Sequence, residues 1–293
     1  MSDLKSLVEA ELSLRVDLRV SAMAAAIAAQ YGSAARAVLF YGSCLRTSDL
    51  DGQMLDFYLI VSDYRAAYGK RWLAAANRLI PPNVFPLQYQ GLAGKYAVLS
   101  EDDFRRECSA RAKTVSVWAR FAQPSRLVWS ADEEAKSQAV ESIALAAPTL
   151  LAFTLPMLRE GEEADALAIW RRGFALTYDC ELRAERKERP GSIVDADPQR
   201  YQAFAEAALP GIRPFSSTAA RQIWESFRKR GKRASVLRLA KASATFAGGI
   251  DYLAWKINRH AGTDIKIAPW QRRWPLLGAV TLLPRLLKRG AIR

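Results

Sequence analysis

Tyr41-Gly42-Ser43 closes a short apolar run, Ala37-Val38-Leu39-Phe40, and Asp56 stands near the start of a second run, Met54 to Ile60. Glycine at a strand end lets the backbone come close to a phosphate. Ser43 adds a hydroxyl and an amide where a following helix would begin, and such amides favour anions. A carboxylate one strand away can hold a Mg²⁺ ion that bridges phosphates. Together these residues could perform displacement at phosphorus, a reaction catalysed mainly by positioning and charge neutralisation. Side chains alternate along a strand, so Met54, Asp56, Tyr58 and Ile60 share a face with Asp56 as its single acid. The plain alternative is a strand that merely starts with a capping Asp, since Gly-Ser followed by an Asp has little specificity.

The layout resembles a nucleotidyltransferase site of the polymerase-β kind. That resemblance implies a nucleoside triphosphate plus an acceptor giving pyrophosphate. The general motif carries a second carboxylate two residues after the first, and here that position is Tyr58. Further segments, in order, resemble the mitochondrial-type phosphatidate cytidylyltransferases, also called translocator assembly and maintenance proteins. These make CDP-diacylglycerol from CTP and phosphatidic acid with Mg²⁺. Tyr41-Gly42-Ser43 and Met54-Leu55-Asp56-Phe57 are similar to that family's YGS and M-[IL]-D-F, where one acid suffices, and Asp63 matches an acidic position. Gly94-Lys95-Tyr96-Ala97-Val98-Leu99-Ser100 resembles I-K-Y-G-V-I-S, and Trp118 to Pro124 resembles Y-x-A-G-R-L-x-K-P with Arg and Gly displaced. Leu176 to Arg183 is similar to a strand S-Y-x-G-D-F-R-M, with Glu181 in the place of its Asp. The family's Asn-Leu-Lys…His-Tyr-Ser element has no counterpart; Tyr64 to Pro82 stands there instead. The likeness spans about residues 37–250.

The resemblance implies that Tyr41, Gly42 and Ser43 seat the triphosphate of CTP. Asp56 and Glu181 would hold Mg²⁺, with Asp63 a further candidate, and Ser43, Asp56 and Glu181 would be the catalytic set. Lys95 would stabilise a phosphate, and Arg46, three residues after Ser43, could reach one from the first helical turn. Lys95 and Arg46 read equally as exposed cations, and Glu181 as a solvated residue between Arg183 and Arg186. The acceptor implied here, a phosphate monoester, is already anionic near neutral pH and needs no strong general base.

Composition narrows the alternatives. His260 is the only histidine, which excludes Ser-His-Asp, Cys-His and His-rich zinc sites. Cys44, Cys108 and Cys180 form no close pair and suit a reducing compartment. The opening residues carry acids and no apolar block, so they read as an amphipathic helix rather than a targeting segment. An Ala/Arg-rich chain of this kind suits the cytoplasmic face of a bacterial inner membrane, with the matrix side of the mitochondrial inner membrane as the alternative.

Charge is strongly asymmetric. Residues 221–293 hold 17 Lys/Arg against 3 Asp/Glu, and the rest of the chain is near neutral, with 26 against 27. That points to a polyanionic partner. In the last stretch Trp270 and Trp274 flank Arg272 and Arg273, an apolar block follows, and Arg285, Lys288 and Arg289 close it. The block is shorter than the roughly 20 residues a bilayer span needs. It can lie in the interface, with Trp at the headgroups and cations on anionic lipid. A buried C-terminal helix or an oligomer contact is the alternative. Nucleic acid is the competing polyanion, but a Leu-rich block beside the aromatics is a surface RNA would leave bare.

The expected fold is α/β (α+β), with a polymerase-β-like nucleotidyltransferase core, a helical second domain and a basic amphipathic C-terminal region. The core takes residues 1–130 and is completed by a strand within 174–197. Residues 131–173 form the helical domain, and 198–293 the basic region, membrane-associating at 248–293. Strands are expected at 37–41, 54–61, 94–99 and 176–184, and helices at 5–30, 64–80, 101–121 and 198–208. A basic helix from Ala219 to Arg233 should break at Gly231. The resulting reading is a Mg²⁺-dependent phosphatidate cytidylyltransferase, peripheral on a membrane. The alternatives are a polymerase-β-type enzyme acting on RNA or another acceptor, and a non-catalytic membrane-bound scaffold.

Overall fold

A computed structural model describes residues 2–47, 50–158, 165–181, 193–213, 215–245 and 266–269. The expected membrane-associating segment, with Trp270, Arg272, Arg273, Trp274, Arg285, Lys288 and Arg289, lies outside the described residues, as do 182–192. The chain opens with α1 (Ser2–Leu12) and α2 (Leu18–Ala29), followed by β1 (Ala35–Tyr41), α3 (Cys44–Thr47) and β2 (Met54–Val61). Next come α4 (Tyr64–Ala67), α5 (Arg71–Leu79), β3 (Asn83–Tyr89) and β4 (Leu92–Ser100). They are followed by α6 (Glu101–Cys108), α7 (Trp118–Phe121) and β5 (Ser125–Ser130). The later helices are α8 (Glu133–Ile143), α9 (Ala146–Thr154), α10 (Ala166–Tyr178), α11 (Pro198–Ala208) and α12 (Ser217–Thr245).

The strands form one mixed sheet in the order β3-β4-β2-β1-β5. β2 runs parallel to β4, and the remaining neighbours are antiparallel. The two faces bury different partners. Val38, Phe40, Leu55, Phe57, Leu59 and Val98 pack with α2, α4 and α5 residues such as Met23, Ile27, Tyr64 and Ala74. Leu39, Tyr58, Ile60, Ala97 and Leu99 pack with the larger helical mass on the other face. The mixed α/β architecture expected from the sequence is therefore present, in three layers. The stretch Glu133–Met157 has the length and apolarity of a membrane span, but more than half of it is buried within this core.

Several expectations change in detail. The helix expected at 5–30 is two, because Asp17 caps a new start by accepting from the Arg19 amide at 2.8 Å. The expected 64–80 and 101–121 helices are likewise divided, by Tyr68 to Lys70 and by Ser109 to Val117. β3 and β5 are additional strands at the two edges, where Pro86 in β3 is tolerated. The strand expected at 176–184 is overturned over its described part: residues 166–178 are helical and 179–181 form a bend, while 182–184 lie outside the described residues. Ile169, Trp170, Gly173, Phe174 and Thr177 repeat at helical spacing on its buried side, and Asp165 caps its start.

Gly231 also reverses its expected role. α12 runs straight through it, and a methyl group there would overlap the carbonyl oxygen of Cys180. The glycine serves close packing, not helix termination. Gly231→Ala should therefore destabilise by about 1–3 kcal/mol through overpacking, although alanine is the better helix former. Gly69→Ala, with open space around it, should leave the melting temperature nearly unchanged. Equal melting curves for the two variants would show that α12 does not press on Cys180.

Candidate active site

Strand register brings the first site residues together. Tyr41 at the end of β1 sits opposite Asp56 on β2, and Asp56 lies beside Lys95 on β4. Tyr41, Asp56, Tyr58, Lys95 and Ala97 share the face that meets the larger helical layer, as strand alternation requires. Lys95 Nζ is 2.7 Å from Asp56 Oδ1, an ion pair about three-quarters buried on both sides. Gly42 follows with φ +101°, a conformation that favours glycine. A Cβ at Gly42 would lie 3.3 Å from Asp56 Oδ2, so the glycine leaves that oxygen room.

Ser43 is exposed at the mouth of this turn. The helix after it, α3, is a single turn of four residues, so little macrodipole stands behind the anion-binding role expected of it. Arg46 falls on α3, and its side chain lies outside the described residues. Cys44 is buried; burial first, then the Asp56 charge, pushes its thiol above the usual range. That makes it a poor nucleophile.

The opposite wall comes from the helical layer. Arg120 on α7 lies 5.6 Å from the centre of the Tyr41 ring and donates to the Ser116 carbonyl at 2.7 Å. Burial opposes its charge, but Tyr41, Tyr58, Glu181 and Asp56 outweigh that and raise its pKa. Burial and then Asp56 likewise push the Tyr41 phenol upward, so it stays neutral. Ser116 joins two further groups. Its hydroxyl donates to Glu181 Oε1 at 2.5 Å and accepts from Arg238 Nη1 at 2.7 Å. Arg238, on α12, also donates to the Pro81 carbonyl at 2.7 Å. One turn on, Lys241 donates to the carbonyls of Ile80 and Pro82.

Tyr41, Pro82, Lys95, Ser116, Arg120 and Arg238 line a cavity of about 150 Å³. Three of the ten lining residues are cations, with Phe57, Tyr58, Val84 and Ala97 on the apolar side, and the carboxylates of Asp56 and Glu181 touch the lining through Lys95 and Ser116. Such a cavity suits a phosphate-sized anion. A larger cavity of about 280 Å³, lined by Glu101, Asp102, Arg105 and Glu141, holds none of these residues.

Of the residues expected from the sequence, Tyr41, Gly42, Asp56 and Lys95 meet in one place, with Ser43 at the edge. Glu181 reaches the same place from the bend after α10, not from a strand. Asp63 does not: it lies at the far end of β2, roughly 20 Å along a strand from Asp56 at about 3.3 Å per residue. There it caps α4, accepting from the amides of Arg65 at 2.6 Å and Ala66 at 3.1 Å. These bonds hold its carboxyl below the usual range. Ser116, Arg120, Arg238 and Lys241 are additions. Arg120 lay inside a segment already singled out, whereas Arg238 and Lys241 were indistinguishable from the general basicity of the last quarter.

Among the described residues no cluster of three or more His, Cys, Asp or Glu side chains could hold a metal. Asp56 and Glu181 carry the hard oxygen donors that Mg²⁺ takes, and Asp56 Oδ1 is already paired with Lys95 at 2.7 Å. No family model matches the chain, and no curated protein matches it either.

Lys241 generates a pH prediction. Burial first, then the Arg238 charge, pushes its pKa down to about 7, against about 10.4 for a free lysine. Between those values the unfolded chain binds more protons than the folded one, so stability rises with pH across the window. Urea midpoints should be higher at about pH 9 than at about pH 7. Lys241→Gln should flatten the difference. A wild-type midpoint that falls over this range would show that Lys241 is not held as described.

Proposed function

We propose that this chain is a nucleotidyltransferase joining CTP to phosphatidic acid, giving CDP-diacylglycerol and pyrophosphate, at the cytoplasmic face of a bacterial inner membrane. The observation that carries the reaction class is the cavity where Lys95, Arg120 and Arg238 converge beside Asp56, Glu181 and the Gly42-Ser43 turn. The order of elements supports it as well: β1, a turn, the Asp-bearing β2, helices, then β4 parallel to β2. The choice of CTP and phosphatidic acid rests on the sequence resemblance.

In this reading an oxygen of the acceptor phosphate attacks the α-phosphorus of CTP. The bond from that phosphorus to the β-phosphate oxygen breaks, and pyrophosphate leaves. Lys95, Arg120 and Arg238 stabilise the phosphate charge, and the partly enclosed cavity strengthens each of these contacts. Ser43 and the backbone at Gly42 orient the triphosphate. Ser116 keeps Glu181 and Arg238 in register. Mg²⁺, held by Asp56 and Glu181, would supply further neutralisation of the phosphates.

The Asp56–Lys95 ion pair favours one other reading, a scaffold in which Lys95 stands permanently where a metal would. Pyrophosphate release separates the two. With Mg²⁺, CTP and phosphatidate, release should be seen, and Asp56→Ala should lower it about 10³-fold. Asp63→Ala should leave the rate unchanged while lowering stability by about 1 kcal/mol through the lost cap. Release with RNA in place of lipid would move the protein to the polynucleotide branch. No release with any nucleotide or acceptor would leave the scaffold.

A further inference from the structure

Helix α5 is built the wrong way round for a helix that only covers a sheet. Its inner face carries Ala74 and Asn77. Asn77 is wholly buried and bonds backbone on both sides, donating to the Val98 carbonyl at 2.9 Å and accepting from the Asn83 amide. Asn83 in turn donates to the Leu73 carbonyl at 3.0 Å. Leu73 packs against the core beside these polar bonds, while the other two large apolar side chains, Trp72 and Leu79, face outward. Trp72 is 51% exposed and Leu79 81% exposed. With exposed Ala75 between them they form one stripe at i, i+3 and i+7.

Beside that stripe run Arg71 and Arg78, with Lys70 and Arg65 just ahead, all exposed. Residues 64–82 contain no Asp or Glu. A second copy of this face would bring like charges together, whereas an anionic lipid surface complements both the stripe and its flanks. At nine residues α5 is far too short to cross a bilayer, so it can only lie in the interface.

Its position matters. Leu79 is three residues before Pro82, which lines the site cavity, and Arg238 and Lys241 grip the intervening carbonyls. Leu237 on α12 is also 49% exposed, with exposed Arg230 and Arg233 at i−7 and i−4 on the same side of the helix. We propose that α5 is a membrane-docking helix that lays Trp72, Ala75 and Leu79 into an anionic lipid surface, with Arg71 and Arg78 on the headgroups and the cavity mouth brought to the lipid. The role given to the cavity rests on the lipid reading of the function; the docking itself does not.

The experiment is co-flotation of the full chain with phosphatidylcholine vesicles, with and without phosphatidylglycerol, at two salt concentrations. Wild type should float only with the anionic vesicles, and less at high salt. Trp72→Ala/Leu79→Ala, at exposed positions, should weaken binding about tenfold or more. Bromine-labelled acyl chains should quench wild-type fluorescence more than that of Trp72→Phe. Pyrophosphate release on a soluble short-chain phosphatidate should be unaffected by the double substitution. Unchanged flotation of the double variant, or equal quenching in wild type and Trp72→Phe, would overturn the docking role. So would loss of self-association in the double variant without loss of lipid binding. Vesicle binding that depends on Trp72 and Leu79 in a protein releasing no pyrophosphate would keep the docking helix and remove the enzyme.

Discussion

Charge at the carboxyl end of β1 has to be neutralised away from bulk water, and the surrounding structure answers to that constraint. Asp56 and Glu181 stand there against Lys95, Arg120 and Arg238, with Lys241 a turn beyond. Ions taken out of water are tolerated only when paired and hydrogen-bonded. Here each has a partner: Asp56 has Lys95, Glu181 has Ser116, and the arginines have Ser116 and backbone carbonyls. Cations outnumber carboxylates among the described side chains of the cluster. Lys241, with its pKa near 7, can shed part of that excess by losing its proton. An anionic ligand in the cavity would remove the rest.

One helix assembles much of this. α12 touches the Cys180 carbonyl at Gly231, and Arg238 follows seven residues later, roughly 10 Å along the axis at about 1.5 Å per residue. Close approach at Gly231 sets Cys180, hence Glu181, against the helix that supplies Arg238. Ser116 then links the two side chains directly. Trp224 and Phe227 of the same helix are buried beside Trp118 and Phe153, so the apolar core holds the helix that carries the cations. Apolar burial fixes a rigid element, and the element delivers charge to a place where isolated charge would not stay.

The sheet centre was legible in the sequence because its signal is local. Ala37 to Tyr41 and Met54 to Val61 are dense apolar runs bounded by turn residues, and they appear at almost the expected limits. β3 was obscured by Pro86, which edge position makes harmless, and β5 by its half-buried, weakly alternating pattern. Leu176 to Glu181 looked like a strand from its residue types and its likeness to a known strand. Helical burial of Trp170, Phe174 and Thr177 overrode both. At the site, Tyr41, Gly42, Asp56 and Lys95 could be placed together because strand register alone aligns them. Ser116 and Arg238 could not, since their meeting depends on a loop and a helix more than a hundred residues apart.

The absence of a second acid on β2 acquires a physical account in this arrangement. Tyr58 occupies that position, nearly wholly buried against Tyr41, Phe104 and Phe121. A carboxylate there would be desolvated in an aromatic cluster, whereas Tyr58 adds to the core. A carboxylate from outside the sheet, Glu181, reaches the same cavity through Ser116. β1 and β2 therefore carry only one of the two carboxylates beside the cavity, Asp56. Glu181 is held there by Ser116, whose hydroxyl also accepts from Arg238 of α12. In the proposed reaction, the place of Glu181 depends on the packing at Gly231, where α12 meets the Cys180 carbonyl.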